Sequence, residues 1–183
     1  MKIKIGINGM GRIGRMIIRS VIENNYSNIE IKHINNRTKP EICSNLLKYD
    51  SIHGKFKSEI KFNENQLVIN DKIITYSQQT DINKIDWKKF DVDYVFECTG
   101  KFNSKDKLLP HLKNGAKKVI VSAPCKDADK TIVFGVNETE IKKDDNIISA
   151  ASCTTNCLAP VVKVLNDNFE IEKGFMTTIH SFT

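Results

Sequence analysis

Ala151-Ser152-Cys153-Thr154-Thr155-Asn156-Cys157 sets a thiol among hydroxyls, directly ahead of an apolar run with helical spacing. A cysteine at a helix start meets unpaired N–H groups and the positive end of the helix dipole, and both favour thiolate over thiol. The same N–H groups can hold the oxyanion formed when sulfur adds to a carbonyl. Ser152 and Thr154 supply hydroxyl donors on either side. Cys157 lies one turn further along the same helix face and reads as a small buried hydrophobe. No Cys/His pair with zinc spacing accompanies it, so no metal site is expected. Cys43, Cys98 and Cys125 read as core thiols. A thiolate mechanism also wants a base, and the chain has four histidines, His33, His53, His111 and His180. Alternation puts Thr178, His180 and Phe182 on one face of the run Gly174–Phe182, taken as a strand. Spacing alone does not bring His180 to Cys153.

A second constellation opens the chain. After Asn8, Gly9-Met10-Gly11-Arg12-Ile13-Gly14 fits G-x-G-x-x-G, with an apolar strand leading in and an amphipathic helix leading out. Gly9 permits the tight turn, Gly11 lets backbone approach a pyrophosphate, and Gly14 lets the helix pack close on the sheet. The helix N-terminus then offers its free N–H groups to phosphates. At the end of the second strand, where an acidic residue would hold the adenine ribose hydroxyls, stands Asn36, followed by Arg37. Asparagine hydrogen-bonds a hydroxyl without repelling a 2′-phosphate, and arginine attracts one. The cofactor therefore reads as NAD or NADP.

Positioning these groups requires a β-α alternation. Strands are expected over Ile3–Asn8, Ile29–Ile34, Val92–Cys98, Lys118–Ser122, Thr131–Phe134 and Asn146–Ala150. Helices are expected over Ile13–Asn25, Pro40–Lys48, Ser104–Asn114 and Ser152–Asp167. Gln66–Ile69 and Lys72–Tyr76, split by Asn70-Asp71, read as a hairpin. The pattern is that of an α/β protein with a Rossmann-type, doubly wound, mostly parallel sheet. No apolar run reaches the roughly 20 residues of a membrane span, the N-terminus lacks the features of a signal peptide, and a reducing cytoplasm is the expected compartment. The formal charge of +6 raises a nucleic-acid reading, but the basic residues are scattered rather than gathered in a stripe. All four arginines (Arg12, Arg15, Arg19, Arg37) lie near the N-terminus, which marks a place for an anionic ligand; helix surface positions explain Arg15 and Arg19 equally well.

In one order along the chain, Ile7–Arg15, Leu46–Gly54, Glu97-Cys98-Thr99-Gly100-Lys101-Phe102, Ser122-Ala123-Pro124 and Ser149–Pro160 resemble the glyceraldehyde-3-phosphate dehydrogenase family. The resemblance implies that Cys153 is the nucleophile, His180 its base, and Ser152, Thr154 and Thr183 the binders of substrate phosphate and attacking phosphate. It implies that Arg12 and Ile13 contact the pyrophosphate, and that Thr99, Gly100 and Ser122 line the cofactor site with Asn8 and the glycine loop. Glyceraldehyde 3-phosphate and inorganic phosphate are the implied substrates, and a homotetramer the implied assembly. Three departures stand out: Asn36 where the family usually has Asp, Ala150 where Asn is common, and Gln78-Gln79-Thr80-Asp81 in place of the usual Arg-Asp-Pro. Family chains run nearly twice as long. The expectation is thus a dinucleotide-binding domain over 1–152 and the start of a truncated catalytic domain over 153–183, either with weak cofactor binding and poor turnover or as part of a longer enzyme. Two rivals accompany it: erythrose-4-phosphate oxidation by the same thiol chemistry, and a non-catalytic dinucleotide- or RNA-binding module.

Overall fold

The computed structural model describes residues 2–180. Apolar, β-branched runs form the central strands: β1 (Ile3–Asn8), β2 (Ile29–Asn35), β7 (Lys72–Ser77), β8 (Tyr94–Glu97), β9 (Lys118–Val121), β10 (Lys130–Thr131) and β11 (Ile147–Ser149). Two more, β5 (Ile60–Asn63) and β6 (Gln66–Ile69), extend the sheet antiparallel beside β7, while β3 (Tyr49–Asp50) and β4 (Gly54–Lys55) pair separately. The sheet order is β10-β11-β9-β8-β1-β2-β7-β6-β5, and every pair from β10 to β7 is parallel. Four α-helices complete the fold among the described residues: α1 (Arg12–Glu23), α2 (Pro40–Lys48), α3 (Lys105–Lys113) and α4 (Cys153–Phe169). This is the expected Rossmann-type α/β architecture.

The sheet is held by isoleucines that alternate into its covered faces. Ile5, Ile7, Ile34, Leu67 and Ile69 join Ile18 of α1 and Leu47 of α2 in one core; Leu108 of α3 packs with Val119, Val121 and Ile147 in another. Burying each such side chain contributes roughly 1.5–3 kcal/mol. Asn70 and Asp71, with φ of +46° and +64°, form the expected two-residue turn between β6 and β7.

Several expectations need correction. No strand forms over residues 174–180: with no neighbouring strand to pair its backbone among the described residues, this run stays irregular, and 181–182 lie outside the described residues. The strand anticipated at Thr131–Phe134 ends at Thr131, because Asn137 Oδ1 accepts from the Val133 N–H at 2.9 Å and curls the chain into a turn, leaving Phe134 exposed. The edge strand β5 escaped sequence reading, since its residues alternate too weakly to stand out from a polar stretch. The helix expected over Ser104–Asn114 runs Lys105–Lys113, with Ser104 ahead of it making no side-chain cap bond; the carboxylate of Asp127 accepts from the Lys105 N–H instead, at 2.9 Å.

Candidate active site

The order of winding reverses at β1, with all three strands parallel: β2 continues the sheet on one side and β8 on the other. Such a switch point opens a crevice beyond the carboxyl ends of the strands. Here that crevice is a cleft of about 480 Å³. Asn8, Gly9, Gly11, Asn36, Arg37 and Thr99, all expected at a cofactor site, line it together. Arg12, Ile13, Gly14, Gly100 and Ser122 do not. Arg12 turns outward to Asp50, with Nη1 3.2 Å from its carboxylate. Gly14 is packed beneath the loop, and Ser122 sits at the end of β9, its N–H donating to the Glu97 carbonyl at 3.0 Å. The arginine cluster also resolves into separate roles. Arg19 is buried and donates to the backbone carbonyls of His53 and Gly54, Arg15 donates to the Met10 carbonyl, and only Arg37 faces the cleft. Asn35, Ile85, Cys98, Lys101 and Phe102 line the cleft without having been singled out from the sequence. Asn35, Cys98, Lys101 and Phe102 share a signal of position, at or beyond the ends of β2 and β8, whereas Ile85 follows a short turn at Ile82–Lys84.

The cleft fits a dinucleotide at its phosphate turn. Gly9 has φ +99°, and a Cβ there would lie 2.8 Å from the Thr99 nitrogen. A Cβ on Gly14 would lie 2.1 Å from the Gly9 oxygen, so both glycines are required by the protein itself. Gly11 differs: a Cβ would meet only the Cys98 oxygen, at 3.9 Å. The space beside Gly11 therefore belongs to the cleft. Gly11 is also the N-cap of α1 and carries no side chain to satisfy the first N–H groups, which leaves them for an anion.

A buried carboxylate holds the walls of this cleft. Glu97, 1% exposed, accepts from Asn8 Nδ2 at 2.6 Å and from His111 Nε2 at 3.0 Å. Its other oxygen accepts from the backbone N–H of Thr99 at 2.8 Å and from the Thr99 hydroxyl. The Trp87 indole donates to His111 Nδ1 at 2.8 Å, which leaves the ring proton on Nε2, directed at Glu97. Asn35 Nδ2 in turn donates to Asn8 Oδ1 at 2.8 Å. Nothing in the spacing of these residues announced the network, because its members come from four separate elements. Burial beside it pushes the Cys98 thiol up to about 12, so this sulfur stays protonated.

At the opposite end of the same sheet edge, β11 turns into α4. Ala151 makes the turn with φ +59°, a region costly for a residue with a Cβ. Asn156 Nδ2 straps it, donating to the Ala150 and Ser152 carbonyls at 2.7 and 2.9 Å. Ser152 caps the helix, its Oγ accepting from the Thr155 N–H at 3.0 Å. Cys153 is thereby the first residue of α4, and it is exposed, as the sequence reading requires. Cys157 corrects that reading: it is exposed, because the α4 face it shares has no cover among the described residues. Cys43, Cys98 and Cys125 are buried as expected. His180 Nε2 lies 3.4 Å from the Thr154 hydroxyl, and no hydrogen bond joins it to Cys153 among the described residues. Thr183 lies outside them.

Fold and cleft together define a Rossmann-type α/β protein with a dinucleotide cleft and an exposed thiol at a helix start. Residues 3–105 match the family model described as glyceraldehyde 3-phosphate dehydrogenase, NAD binding domain, and residues 152–183 match that family's C-terminal domain. The chain belongs to the glyceraldehyde 3-phosphate dehydrogenase family. It is 48% identical over 184 residues to glyceraldehyde-3-phosphate dehydrogenase 2 of Bacillus subtilis, covering 100% of this chain and 54% of the relative. It is 46% identical over 180 residues to the glyceraldehyde-3-phosphate dehydrogenase of Thermotoga maritima, covering 98% of this chain and 54% of that one. The chain thus spans about half the length of the curated relatives it matches.

Proposed function

We propose that this chain carries the cofactor cleft and the nucleophile of a glyceraldehyde-3-phosphate dehydrogenase, with residues 1–152 as the dinucleotide-binding domain and 153–183 opening the catalytic domain. The observation that carries this reading is the pairing, on one sheet edge, of a glycine-loop cleft with a capped, exposed Cys153 at a helix start. Four strand spacings separate β2, which ends at Asn35 just before Asn36, from β11, which leads to Cys153. At about 4.8 Å each that is roughly 19 Å. An extended dinucleotide lying along the edge would have its adenosine at the first and its nicotinamide toward the second.

In this mechanism the Cys153 thiolate adds to the aldehyde carbon of glyceraldehyde 3-phosphate and forms a thiohemiacetal. The N-terminal N–H groups of α4 hold the oxyanion, and His180 removes the hydroxyl proton as the C–H electron pair leaves as hydride. The bound nicotinamide supplies the hydride acceptor. Inorganic phosphate then attacks the resulting thioester, releases the acyl phosphate and regenerates the thiolate. Ser152, Thr154 and Thr183 bind the phosphate groups. His180 Nε2 rests 3.4 Å from the Thr154 hydroxyl, on the residue next to the thiol, and substrate would draw the catalytic hydrogen bonds tighter. A homotetramer is the assembly this reading carries.

The test is a single-turnover reaction of the 183-residue chain with glyceraldehyde 3-phosphate and NAD or NADP, without phosphate. The expected result is reduced cofactor together with an acyl adduct mapped by mass spectrometry to Cys153, both absent in Cys153→Ser. Finding neither product with the native chain would reject the reading.

A further inference from the structure

We propose that Glu97 is a buried negative charge that biases the cleft toward the oxidised, cationic form of a nicotinamide over the reduced, neutral form. The inference rests on the dinucleotide reading of the cleft given above and assigns an electrostatic role to a residue behind its wall.

Two chains of hydrogen bonds fix what Glu97 receives. On one side, Asn35 Oδ1 accepts from the Gln79 N–H at 2.9 Å and from the Ser77 hydroxyl at 2.8 Å, so Asn35 Nδ2 faces Asn8 Oδ1. That leaves Asn8 Nδ2 to donate to Glu97 Oε2 at 2.6 Å. On the other side, the Trp87 indole can only donate, so His111 is neutral and points its Nε2 proton at the same oxygen. Glu97 Oε1 takes the Thr99 N–H at 2.8 Å and the Thr99 hydroxyl, whose oxygen in turn accepts from the Lys101 N–H at 3.1 Å. Four donors on two oxygens is the pattern of a carboxylate. None of the four belongs to a cation, so dipoles hold the charge without cancelling it.

The charge is well placed to act on a ligand. Glu97 ends β8, and the next two residues, Cys98 and Thr99, line the cleft. Beyond β8 the sheet continues with β9 and then β11, which puts the nicotinamide end of the cleft two strand spacings away, roughly 10 Å. A nicotinamide ring is positively charged when oxidised and loses that charge on gaining a hydride. The phosphates are common to both forms, so their repulsion by Glu97 cancels in the ratio of affinities. At roughly 10 Å and an effective dielectric constant of about 20–40, one such charge favours the cation about four- to sixteenfold. No Asp or Glu lines the cleft, and its two basic residues, Arg37 and Lys101, are exposed. Salt screens their fields, whereas Glu97 is 1% exposed and is screened much less.

Calorimetric titration of the 183-residue chain with NAD⁺ and with NADH at raised salt reads the ratio directly. The native chain is expected to bind NAD⁺ about four- to sixteenfold more tightly. A tenfold ratio corresponds to a bound cofactor whose potential lies about 30 mV below that of the free one. Glu97→Gln, checked for folding by urea unfolding, should bring the ratio close to one. Glu97→Asp keeps the charge and should keep the preference, even where both affinities fall. Equal affinities in the native chain, or a folded Glu97→Gln variant that weakens both forms alike, overturn the proposal and leave the reading of the cleft standing. The native measurement decides alone where Glu97→Gln does not fold. Binding of neither form overturns the proposal together with that reading.

Discussion

Five thiols in one chain make a direct comparison of environments. Cys153 stands exposed on the first turn of α4, whereas Cys43, Cys98 and Cys125 are buried, and burial raises the pKa of the Cys98 and Cys125 thiols. A thiolate is the form that alkylates, so burial withholds Cys98 and Cys125 both by access and by their raised pKa. Brief treatment of the native protein with iodoacetamide at neutral pH should therefore label Cys153 first, Cys157 more slowly, and the three buried cysteines only after denaturation. Peptide mass spectrometry reads the order. Cys98 labelled as fast as Cys153 would contradict this account. Cys157 shares the exposure but sits a turn deeper, away from the free N–H groups, which is why accessibility alone should not make the two equal.

At the scale of elements, the loop between β1 and α1 separates two glycines that the fold itself requires from one that faces open space in the cleft. Gly9→Ala and Gly14→Ala each force a Cβ onto backbone atoms, at 2.8 and 2.1 Å, and Gly9 adds a left-handed φ. Each should lower stability by about 1–3 kcal/mol or more, measured by urea unfolding. Gly11→Ala has open space before it. It should keep the parent midpoint and lose dinucleotide affinity, and a large loss of stability there would show the space to be structural. Sequence reading reached these glycines, the parallel order and the helix that carries Cys153, because turn geometry and hydrophobic period are written locally in residues such as Gly9, Ile5 and Ile7. It did not reach Glu97, His111 and Trp87, whose hydrogen bonds join residues from distant segments. It misjudged Cys157 because an apolar periodicity tells which face of a helix wants cover, not what covers it. It also proposed a strand at Gly174–Phe182, and over the described part, 174–180, alternation exists without a partner strand to use it.

For the whole molecule, acid is the stress that the buried network of polar groups registers. His33 is fully buried between the Thr75 and Ser77 hydroxyls, each 2.8 Å away, and stacks on Phe90 with ring centroids 3.6 Å apart. Burial lowers its pKa from 6.5 to about 3. Between those values the unfolded chain binds a proton that the folded chain refuses. The stability tied to a neutral His33 is therefore complete above about pH 6.5 and is lost as pH falls toward 3, at up to about 1.4 kcal/mol per pH unit. The Asp50 carboxyl, held down to about 2 chiefly by the His53 and Ile52 backbone N–H groups, titrates in a separate and lower window. Urea midpoints between pH 7 and 4.5 should fall steeply in the native protein and less so in His33→Gln; equal slopes would exclude His33 as the source. The other buried histidine, His111, has a different consequence. The chain contains a single tryptophan, and its indole is linked through His111 and Glu97 to Asn8 and Thr99 in the wall of the cleft. The protein therefore carries its own optical gauge: light emitted by Trp87 comes from one known place, wired by hydrogen bonds to the cleft, so the proposed cofactor entry should register as a change in that emission without any added dye.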